Sequence, residues 1–231
     1  MLEVKDVRFV YQTKYQKTQA LKGVSCAFSQ EKFYAIVGPS GCGKTTLLSL
    51  LAGLAVPTQG EILLNGTPLQ EIGLERYRRE NVSVIYQNFN LFPLLTVLEN
   101  VLFPMDGKGP NRAACKERAR ELLRQVGLTP QQERKFSTML SGGEQQRVAI
   151  ARALATQADV ILADEPTGNL DTENGRAVLE ILQGLVAQRG CCLIMVTHDM
   201  DIAAQADVIL HMRDGEIVSV QEQSSQKGGT Q

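Results

Sequence analysis

The residues with the clearest chemistry lie at 38–45, where "GPSGCGKT" matches the G-x-x-x-x-G-K-[ST] pattern of a phosphate-binding loop. The apolar run "FYAIV" precedes this segment and a helical run follows it, as the pattern requires. Glycines let backbone N–H groups converge on phosphate oxygens, and the N-terminus of the following helix attracts the same anion. We predict that Lys44 reaches the β- and γ-phosphates of a nucleotide and that the Thr45 hydroxyl ligates Mg²⁺. The predicted nucleotide contacts in this segment are Gly38, Pro39, Ser40, Gly41, Cys42, Gly43, Lys44, Thr45 and Thr46.

Cys42 places a thiol inside this loop. Its backbone is predicted to contribute to the phosphate cradle, while its side chain need not do any chemistry. We expect alkylation of the thiol to block ATP binding sterically.

Polar residues also follow three other apolar segments of the sequence. Asp164 and Glu165 end "VILADE", His198 follows "LIMVT", and Gln87 follows "VSVIY". An isolated Asp-Glu pair is usually a solvated strand end and a lone histidine is usually structural, but a phosphate-binding loop upstream favours a catalytic reading. Asp164 is predicted to hold Mg²⁺ and Glu165 to act as the general base that activates water for ATP hydrolysis. His198 is predicted to contact the γ-phosphate, and Gln87 to complete the metal and water shell.

Hydrophobic patterning predicts the elements that position these residues. Strands are predicted at 2–10, 24–29, 32–37, 60–64, 82–85, 159–166 and 191–199, and helices from residue 44 and at 111–128, 141–155 and 173–190. Buried strands that alternate with helices form parallel sheets, and ligands bind at the carboxyl ends of their strands. The predicted fold class is α/β: a P-loop NTPase core with a mostly parallel sheet, an N-terminal antiparallel β subdomain and an inserted helical subdomain.

The predicted domain covers residues 1–220. Its core is expected at 1–87 and 158–220, with the helical subdomain at 88–157 between the two parts. The tail at 221–231 lacks apolar residues and is expected to be disordered.

Composition excludes several function classes. The 24 Lys and Arg residues balance 25 Asp and Glu residues, so bulk basic charge for binding nucleic acid is lacking. The N-terminal residues alternate like a strand rather than a signal peptide, and the longest apolar run, "TLLSLLAGLAV", is too short to span a bilayer. We therefore expect a protein that is soluble by itself, and five cysteines without metal-ligand spacing fit reduced thiols.

A second glycine-rich segment, "LSGGEQQR" at 140–147, identifies a family resemblance. The phosphate loop, Gln87, this segment, "ILADEPTGNLD" and "VTHD" occur in the order found in the ATP-binding cassette (ABC) family, and the resemblance spans about residues 2–220. It implies that two copies dimerise head-to-tail on ATP, with Ser141, Gly142 and Gly143 of one copy closing over the γ-phosphate held by the other. A serine at the N-terminus of a helix suits an anion for the same physical reason as the first loop.

Two further residues take roles from the resemblance by position. Tyr11 resembles the aromatic residue that stacks on adenine, with Tyr15 as the second candidate and a plain surface tyrosine as the alternative. Asp171, in "GNLD", resembles the residue that signals between the two ATP sites.

The resemblance also implies a partner. Any membrane channel must be a separate permease chain, which places this protein peripherally on the cytoplasmic side of the cell membrane. The wording of "YQNFNLFPLLTVLENV" and "LADEPTGNLD" is most similar to the lipoprotein-release, macrolide-export and antimicrobial-peptide-resistance branch. A regulatory ATPase of cell-division type, which signals through a membrane partner without transport, remains the alternative. Four apolar residues form either core or a groove for a helix of that partner: Phe89, Leu91, Phe92 and Leu94.

Overall fold

Two β-sheets and a set of packed helices make up the structure, a computed structural model that describes residues 1–12, 14–106 and 111–223. Its strands are β1 Leu2–Gln12, β2 Lys17–Phe28, β3 Phe33–Val37, β4 Gln59–Leu64, β5 Thr67–Pro68, β6 Val82–Tyr86, β7 Val160–Asp164, β8 Cys192–Val196, β9 Val208–Arg213 and β10 Glu216–Glu222. Its α-helices are α1 Lys44–Leu51, α2 Leu69–Ile72, α3 Leu74–Glu80, α4 Val97–Leu102, α5 Arg112–Gln125, α6 Gly142–Ala155, α7 Thr172–Arg189 and α8 Met200–Ala203.

The larger sheet has the strand order β10-β9-β3-β8-β7-β6. Its strands are parallel except β10, which pairs with β9 in the antiparallel sense. The carboxyl ends of β3, β6, β7 and β8 therefore lie along one edge of the sheet, and the chain leaves those strands at the phosphate loop, Gln87, Glu165 and Thr197. The mostly parallel sheet predicted from the sequence is confirmed.

The smaller sheet is antiparallel and has the order β2-β1-β4-β5. It contains three of the five strands predicted in the first half of the chain. This confirms the antiparallel β region expected near the N-terminus, although β2 begins at Lys17 rather than at residue 24.

Alternating residues of the central strands feed two separate cores. On β3, Phe33, Ala35 and Val37 face the core that helices α4, α5, α6 and α7 complete. Tyr34 and Ile36 face the opposite core, which contains α1 and the antiparallel sheet. A sheet that is covered on both faces explains why its strands read as continuous apolar runs in the sequence.

The described part of the interval between β6 and β7 contains three α-helices joined by loops. Helices α4, α5 and α6 lie at 97–102, 112–125 and 142–155 and contribute Val101, Leu122 and Ile150 to the same core as the sheet. The helical segment is thus packed directly onto the sheet through α6. Among the described residues, no helix is both long enough and apolar enough to cross a membrane.

The C-terminal end departs from the sequence-based expectation. Strand β10 continues through Glu222, and the Gln223 N–H donates to the Asp207 carbonyl oxygen at 2.8 Å. The expectation that 221–231 is disordered is therefore wrong for residues 221–223, and residues 224–231 lie outside the described part. The reason is that backbone hydrogen bonds hold an edge strand even where few of its side chains are buried. Val218 and Val220 are exposed, so the sequence of this strand has no clear apolar pattern.

Candidate functional site

The phosphate loop connects β3 to α1, and neighbouring backbone enforces its glycines. A Cβ at Gly38 would lie 2.0 Å from the Met212 carbonyl oxygen, and a Cβ at Gly43 would lie 2.7 Å from the Ala20 carbonyl oxygen. Gly41 has φ +77° with open space around it, so its glycine serves the backbone conformation alone. The loop is therefore packed against the ends of β9 and β2 and held in one shape.

Lys44 lies over this loop. Its side chain is largely buried, at 8% exposure, and Nζ donates to the carbonyl oxygens of Gly38 at 2.8 Å and Pro39 at 3.0 Å. These bonds hold a positive charge at the mouth of a helix N-terminus, where both features attract an anion.

The Cys42 side chain does not lie beside the nucleotide cradle. Cys42 is 4% exposed and packs into the core that contains Leu47 and Met212. The thiol is therefore buried beneath the loop, and the effect of its alkylation on ATP binding stays a prediction. Its backbone remains part of the loop.

Thr45 and Asp164 provide oxygen ligands of the kind that Mg²⁺ prefers. Burial, together with the neighbouring Glu165 carboxylate, raises the pKa of Asp164 above its ordinary value. The Thr45 hydroxyl and the Lys44 ammonium oppose this shift without cancelling it. A carboxylate whose ionised form is destabilised gains from a divalent cation, so these residues fit the predicted metal. Among the described residues no group of three or more His, Cys, Asp or Glu side chains forms a metal cluster.

Glu165 and His198 form a close pair at the same edge. Oε2 of Glu165 lies 3.1 Å from Nδ1 of His198. The Glu165 backbone is left-handed, with φ +45°, and is fixed on both sides: its N–H donates to the Val196 carbonyl oxygen at 3.0 Å, and its carbonyl accepts from the Gly168 N–H at 3.0 Å. The carboxylate is thus aimed by β8 and by the turn that follows β7, next to the metal-ligand candidate.

Gln87 is bonded to the turn that follows β7. Its Nε2 donates to Oδ1 of Asn169 at 3.2 Å, and Asn169 Nδ2 donates back to the Gln87 carbonyl oxygen at 3.1 Å. The same Asn169 amide donates to Asn88 Oδ1, and a Cβ at Gly168 would lie 2.8 Å from Gln87 Nε2, so a side chain there would displace the Gln87 amide. In this structure Gln87 is held by the turn after β7.

Asn169 is the positioning residue that the sequence analysis missed. It lies in the "GNLD" stretch, in which the resemblance gave a role only to Asp171. An asparagine two residues after a proline-threonine turn at a strand end was the available signal, but its partner is 82 positions away in the sequence.

Tyr11 lies at the end of β1, close to the start of α1. Its hydroxyl lies 3.3 Å from Oγ1 of Thr46, and its ring contacts Phe9 edge-on while half of the side chain is exposed. Tyr15 is 90% exposed, with the Lys14 ammonium 5.7 Å from its ring centre. Of the two candidates, Tyr11 has the contact with the phosphate-loop helix.

Ser141 begins helix α6 and forms a capping box with Glu144. The Ser141 N–H donates to Glu144 Oε2 at 2.8 Å, and the Glu144 N–H donates to Ser141 Oγ at 3.3 Å. Gly143 is buried, and a Cβ there would lie 2.4 Å from Oδ1 of Asn174, whereas a Cβ at Gly142 would meet only ordinary contacts at 3.7 Å or more. The contacts within one chain thus explain Gly143 but leave Gly142 without a steric reason.

Asp171 caps the N-terminus of α7. Its Oδ1 accepts from the Asn174 N–H at 3.0 Å and its Oδ2 accepts from Asn174 Nδ2 at 2.7 Å. Because Asn174 also contacts Gly143 and accepts from Arg147 at 3.3 Å, Asp171 is linked through one asparagine to the tip of α6.

Comparisons with known proteins agree with this arrangement. The model of the ABC transporter family matches residues 21–168. An uncharacterized ABC transporter ATP-binding protein of Methanocaldococcus jannaschii, MJ1508, is 44% identical over 95% of this chain and 99% of its own length. The lipoprotein-releasing system ATP-binding protein LolD of Syntrophus aciditrophicus is 40% identical over 95% of this chain and 99% of its own.

A solved structure carries the comparison into three dimensions. The dimeric structure of MJ0796, described as a bacterial ABC transporter cassette, superposes with a TM-score of 0.89 at 36% identity and covers 96% of this chain and 98% of that one. The fold, the family model and relatives that match over nearly their whole length agree, and the chain belongs to the ABC transporter family.

Proposed function

We propose that this chain binds ATP with Mg²⁺ and hydrolyses it as the nucleotide-binding subunit of an ABC transporter. The observation that carries the proposal is the meeting of Lys44, Asp164 and the Glu165–His198 pair at one edge of the larger sheet. The related cassette MJ0796 has also been solved in a post-hydrolysis state bound to ADP and Pi, at 36% identity and a TM-score of 0.89.

Each of these groups has a step that its position supports. Lys44 binds the phosphates, and Thr45 and Asp164 would hold Mg²⁺, which supplies positive charge against the charge that develops on the transferred phosphoryl group. Glu165 accepts the proton of the attacking water, and His198, 3.1 Å away, orients that carboxylate or contacts the γ-phosphate. Gln87 would complete the metal and water shell through its amide oxygen, since its Nε2 is bonded to Asn169.

The proposed active unit is a head-to-tail homodimer with ATP at its interface. Ser141 is exposed at the N-terminus of α6, where the helix dipole favours an anion, so this tip offers a second copy a place for the γ-phosphate. The MJ0796 cassette is described as dimeric, which supports the same assembly here.

The test is the oligomeric state of Glu165→Gln. The variant keeps every phosphate and metal contact but lacks the proton acceptor, so it should bind ATP, stop before hydrolysis and remain dimeric. We expect light scattering after size exclusion to give a monomer without nucleotide and a dimer in saturating Mg·ATP. A Glu165→Gln protein that stayed monomeric there, alone and with its membrane partner, would contradict the proposal.

The proposed partner is a separate permease of the lipoprotein-release or macrolide-export type, which places this subunit on the cytoplasmic face of the membrane. The 40% identity with a LolD protein over 99% of its length supports that branch. The apolar segment after Gln87 presents a surface for such a partner: Phe92 and Phe103 are 39% and 57% exposed with their ring centres 4.6 Å apart, and Leu94 is 86% exposed. Leu91, in contrast, packs on the core.

Cross-linking tests this surface. A cysteine at Leu94 should form an adduct with a cytoplasmic helix of the copurified membrane subunit, while a cysteine at Val56, a 46% exposed residue elsewhere in the chain, should not. The absence of any adduct from Leu94→Cys would argue against this docking surface. Substrate-stimulated transport in vesicles would distinguish an exporter from a regulator of the cell-division type.

A further inference from the structure

The segment that follows Gln87 turns through an unusual backbone. Phe89 and Asn90 are consecutive residues with positive φ, +58° and +48°. Asparagine tolerates this region, but phenylalanine rarely occupies it, because its Cβ crowds the following carbonyl. A strained turn of this kind persists only where the surroundings hold it.

One arginine supplies that hold. Arg152, on the last turn of α6, donates from Nη1 to the Asn90 carbonyl oxygen at 2.6 Å and from Nη2 to the Phe89 carbonyl oxygen at 3.0 Å. The planar guanidinium reaches the two carbonyls with two separate nitrogens at a fixed spacing, whereas a lysine at this position would have only one nitrogen on a different side chain to serve both. The two positive-φ residues are thus the two that the arginine bonds.

The turn connects the candidate site to the proposed docking surface. On one side, Tyr86 ends β6 and pairs with Asp164 of β7. Burial and the Asp164 charge raise the pKa of the Tyr86 hydroxyl, and the Arg152 charge acts in the opposite direction. On the other side, the Arg152 guanidinium carbon lies 5.9 Å from the centre of the Phe92 ring, close enough for a cation–π interaction. The Phe89 ring lies beside Gly142 at the tip of α6.

We propose that Arg152 is a positioning residue that fixes the Phe89–Asn90 turn and, through it, both the reach of the Gln87 amide and the orientation of Phe92. Helix α6 carries the "LSGGEQQR" tip at its start and this arginine at its end. A movement of α6 relative to the sheet therefore shifts the Gln87 segment with it. The inference rests on the proposed ATPase for its kinetic readout and on contacts of this chain alone for its structural readout.

The kinetic test compares Arg152→Lys with Arg189→Lys. Arg189 is a matched control because it is also partly buried and also donates to a backbone carbonyl, that of Leu154 at 3.2 Å, without touching the turn. We expect Arg152→Lys to lower kcat about tenfold with KM for ATP changed less than about twofold, since the phosphate loop is untouched. Arg189→Lys should leave both constants close to the wild-type values.

A double-mutant cycle shows whether Arg152 acts through Gln87. In a Gln87→Ala background, Arg152→Lys should have no further effect on kcat, because the group it positions is gone. Multiplicative losses in the double variant would overturn the inference, as would a kcat loss of equal size in Arg189→Lys. A lowered Tm with unchanged kcat would also overturn it, since that result indicates a purely structural role.

A spectroscopic test needs no ATPase activity. The chain contains no tryptophan, so Phe92→Trp introduces a single tryptophan next to the Arg152 guanidinium, which can be excited apart from the five tyrosines. Adding Arg152→Lys to this variant should increase acrylamide quenching, whereas adding Arg189→Lys should not. Equal quenching in all three proteins would overturn the inference even if hydrolysis were normal. A protein that shows the expected quenching but no ATP hydrolysis would refute the proposed function while supporting the role of Arg152 in fixing the Phe89–Asn90 turn.

Discussion

The phosphate-loop edge and the tip of α6 are both glycine-rich and both expected to meet phosphate, yet their contacts within one chain differ. At the sheet edge, burial and Glu165 raise the pKa of Asp164, so the folded protein holds a carboxylate at a cost to its stability. At the tip, the backbone N–H of Ser141 is the main cause that lowers the pKa of Glu144, so this carboxylate is stabilised by the fold.

Within one chain, this difference indicates a ligand site at the sheet edge and a structural motif at the tip of α6. The sheet edge has an unfavourable arrangement that a cation would relieve, which is how functional sites commonly look before their ligand binds. The tip is already satisfied by its own capping box. Its role toward phosphate therefore depends on a second copy, and substitutions must separate its folding role from its proposed binding role.

The largest expected effect belongs to the sheet edge. Glu165→Gln should lower kcat about a thousandfold while ATP binding is retained, because the amide cannot accept the proton of the attacking water. Hydrolysis measured by phosphate release, with nucleotide binding measured by calorimetry, checks both halves of the prediction. Glu173→Gln, which removes an acid from the first turn of α7, is the control and should hydrolyse ATP normally. Comparable activity in the two variants would remove Glu165 from the mechanism.

Two adjacent glycines, Gly142 and Gly143, allow the folding role of the α6 tip to be tested separately from its proposed role in dimerisation. Gly142→Ala meets no close contact, so we expect its Tm to match the wild type while ATP-dependent dimerisation of the Glu165→Gln protein weakens about tenfold. Gly143→Ala would place Cβ against Asn174 and should lower Tm itself. Sedimentation of the two variants in Mg·ATP measures this. If Gly142→Ala dimerised as tightly as its parent, the tip would have no role beyond its own helix.

The sequence alone predicted that the candidate residues of the sheet edge lie together, because each of them follows a strongly apolar strand. Lys44, Asp164 and His198 all come within a few residues of such a strand, and parallel strands bring their ends together without further information. The strands of the larger sheet between Phe33 and Val196 were anticipated for the same reason.

What could not be predicted depends on long-range side-chain contacts. The Asn169–Gln87 pair joins residues 82 apart, and Arg152 reaches a turn more than 60 positions away. The burial of Cys42 depends on its packing in the core with Leu47 and Met212, which no periodicity encodes. Strand β10 was missed because an exposed edge strand is stabilised by backbone pairing rather than by an apolar pattern. Strand β9 is short, buried and apolar, and its place between β3 and β10 depends on pairing with strands distant in sequence or across a turn.

A smaller effect tests the structural reading of the tip. Glu144→Ala removes the side chain that accepts from the Ser141 N–H and from Gln132, and should lower the free energy of unfolding by about 0.5–1 kcal/mol, since the box is largely exposed. Because the folded pKa of Glu144 lies below its ordinary value of 4.5, its contribution is present above pH 4.5 and is lost as pH falls through the folded pKa. Urea unfolding at several pH values measures this. Glu144→Gln is the control, because its amide keeps an acceptor and should be stable without that pH dependence.

The smallest effect has the opposite sign and comes from the sheet edge. The folded pKa of Asp164 lies above its ordinary value of 3.8, so ionisation destabilises the folded protein above the folded pKa, and the penalty disappears as pH falls to 3.8. Asp164→Asn should therefore raise Tm by about 2 °C at pH 7 without nucleotide, and this gain should shrink toward zero as pH approaches 3.8. Asp214→Asn, at a 78% exposed carboxylate, should not show the gain. Mg·ATP should raise the Tm of the wild type more than that of Asp164→Asn, because a bound cation stabilises the buried carboxylate and has no such effect on the neutral amide. A destabilised Asp164→Asn protein would mean that this acid supports the fold, and the contrast with Glu144 would no longer hold.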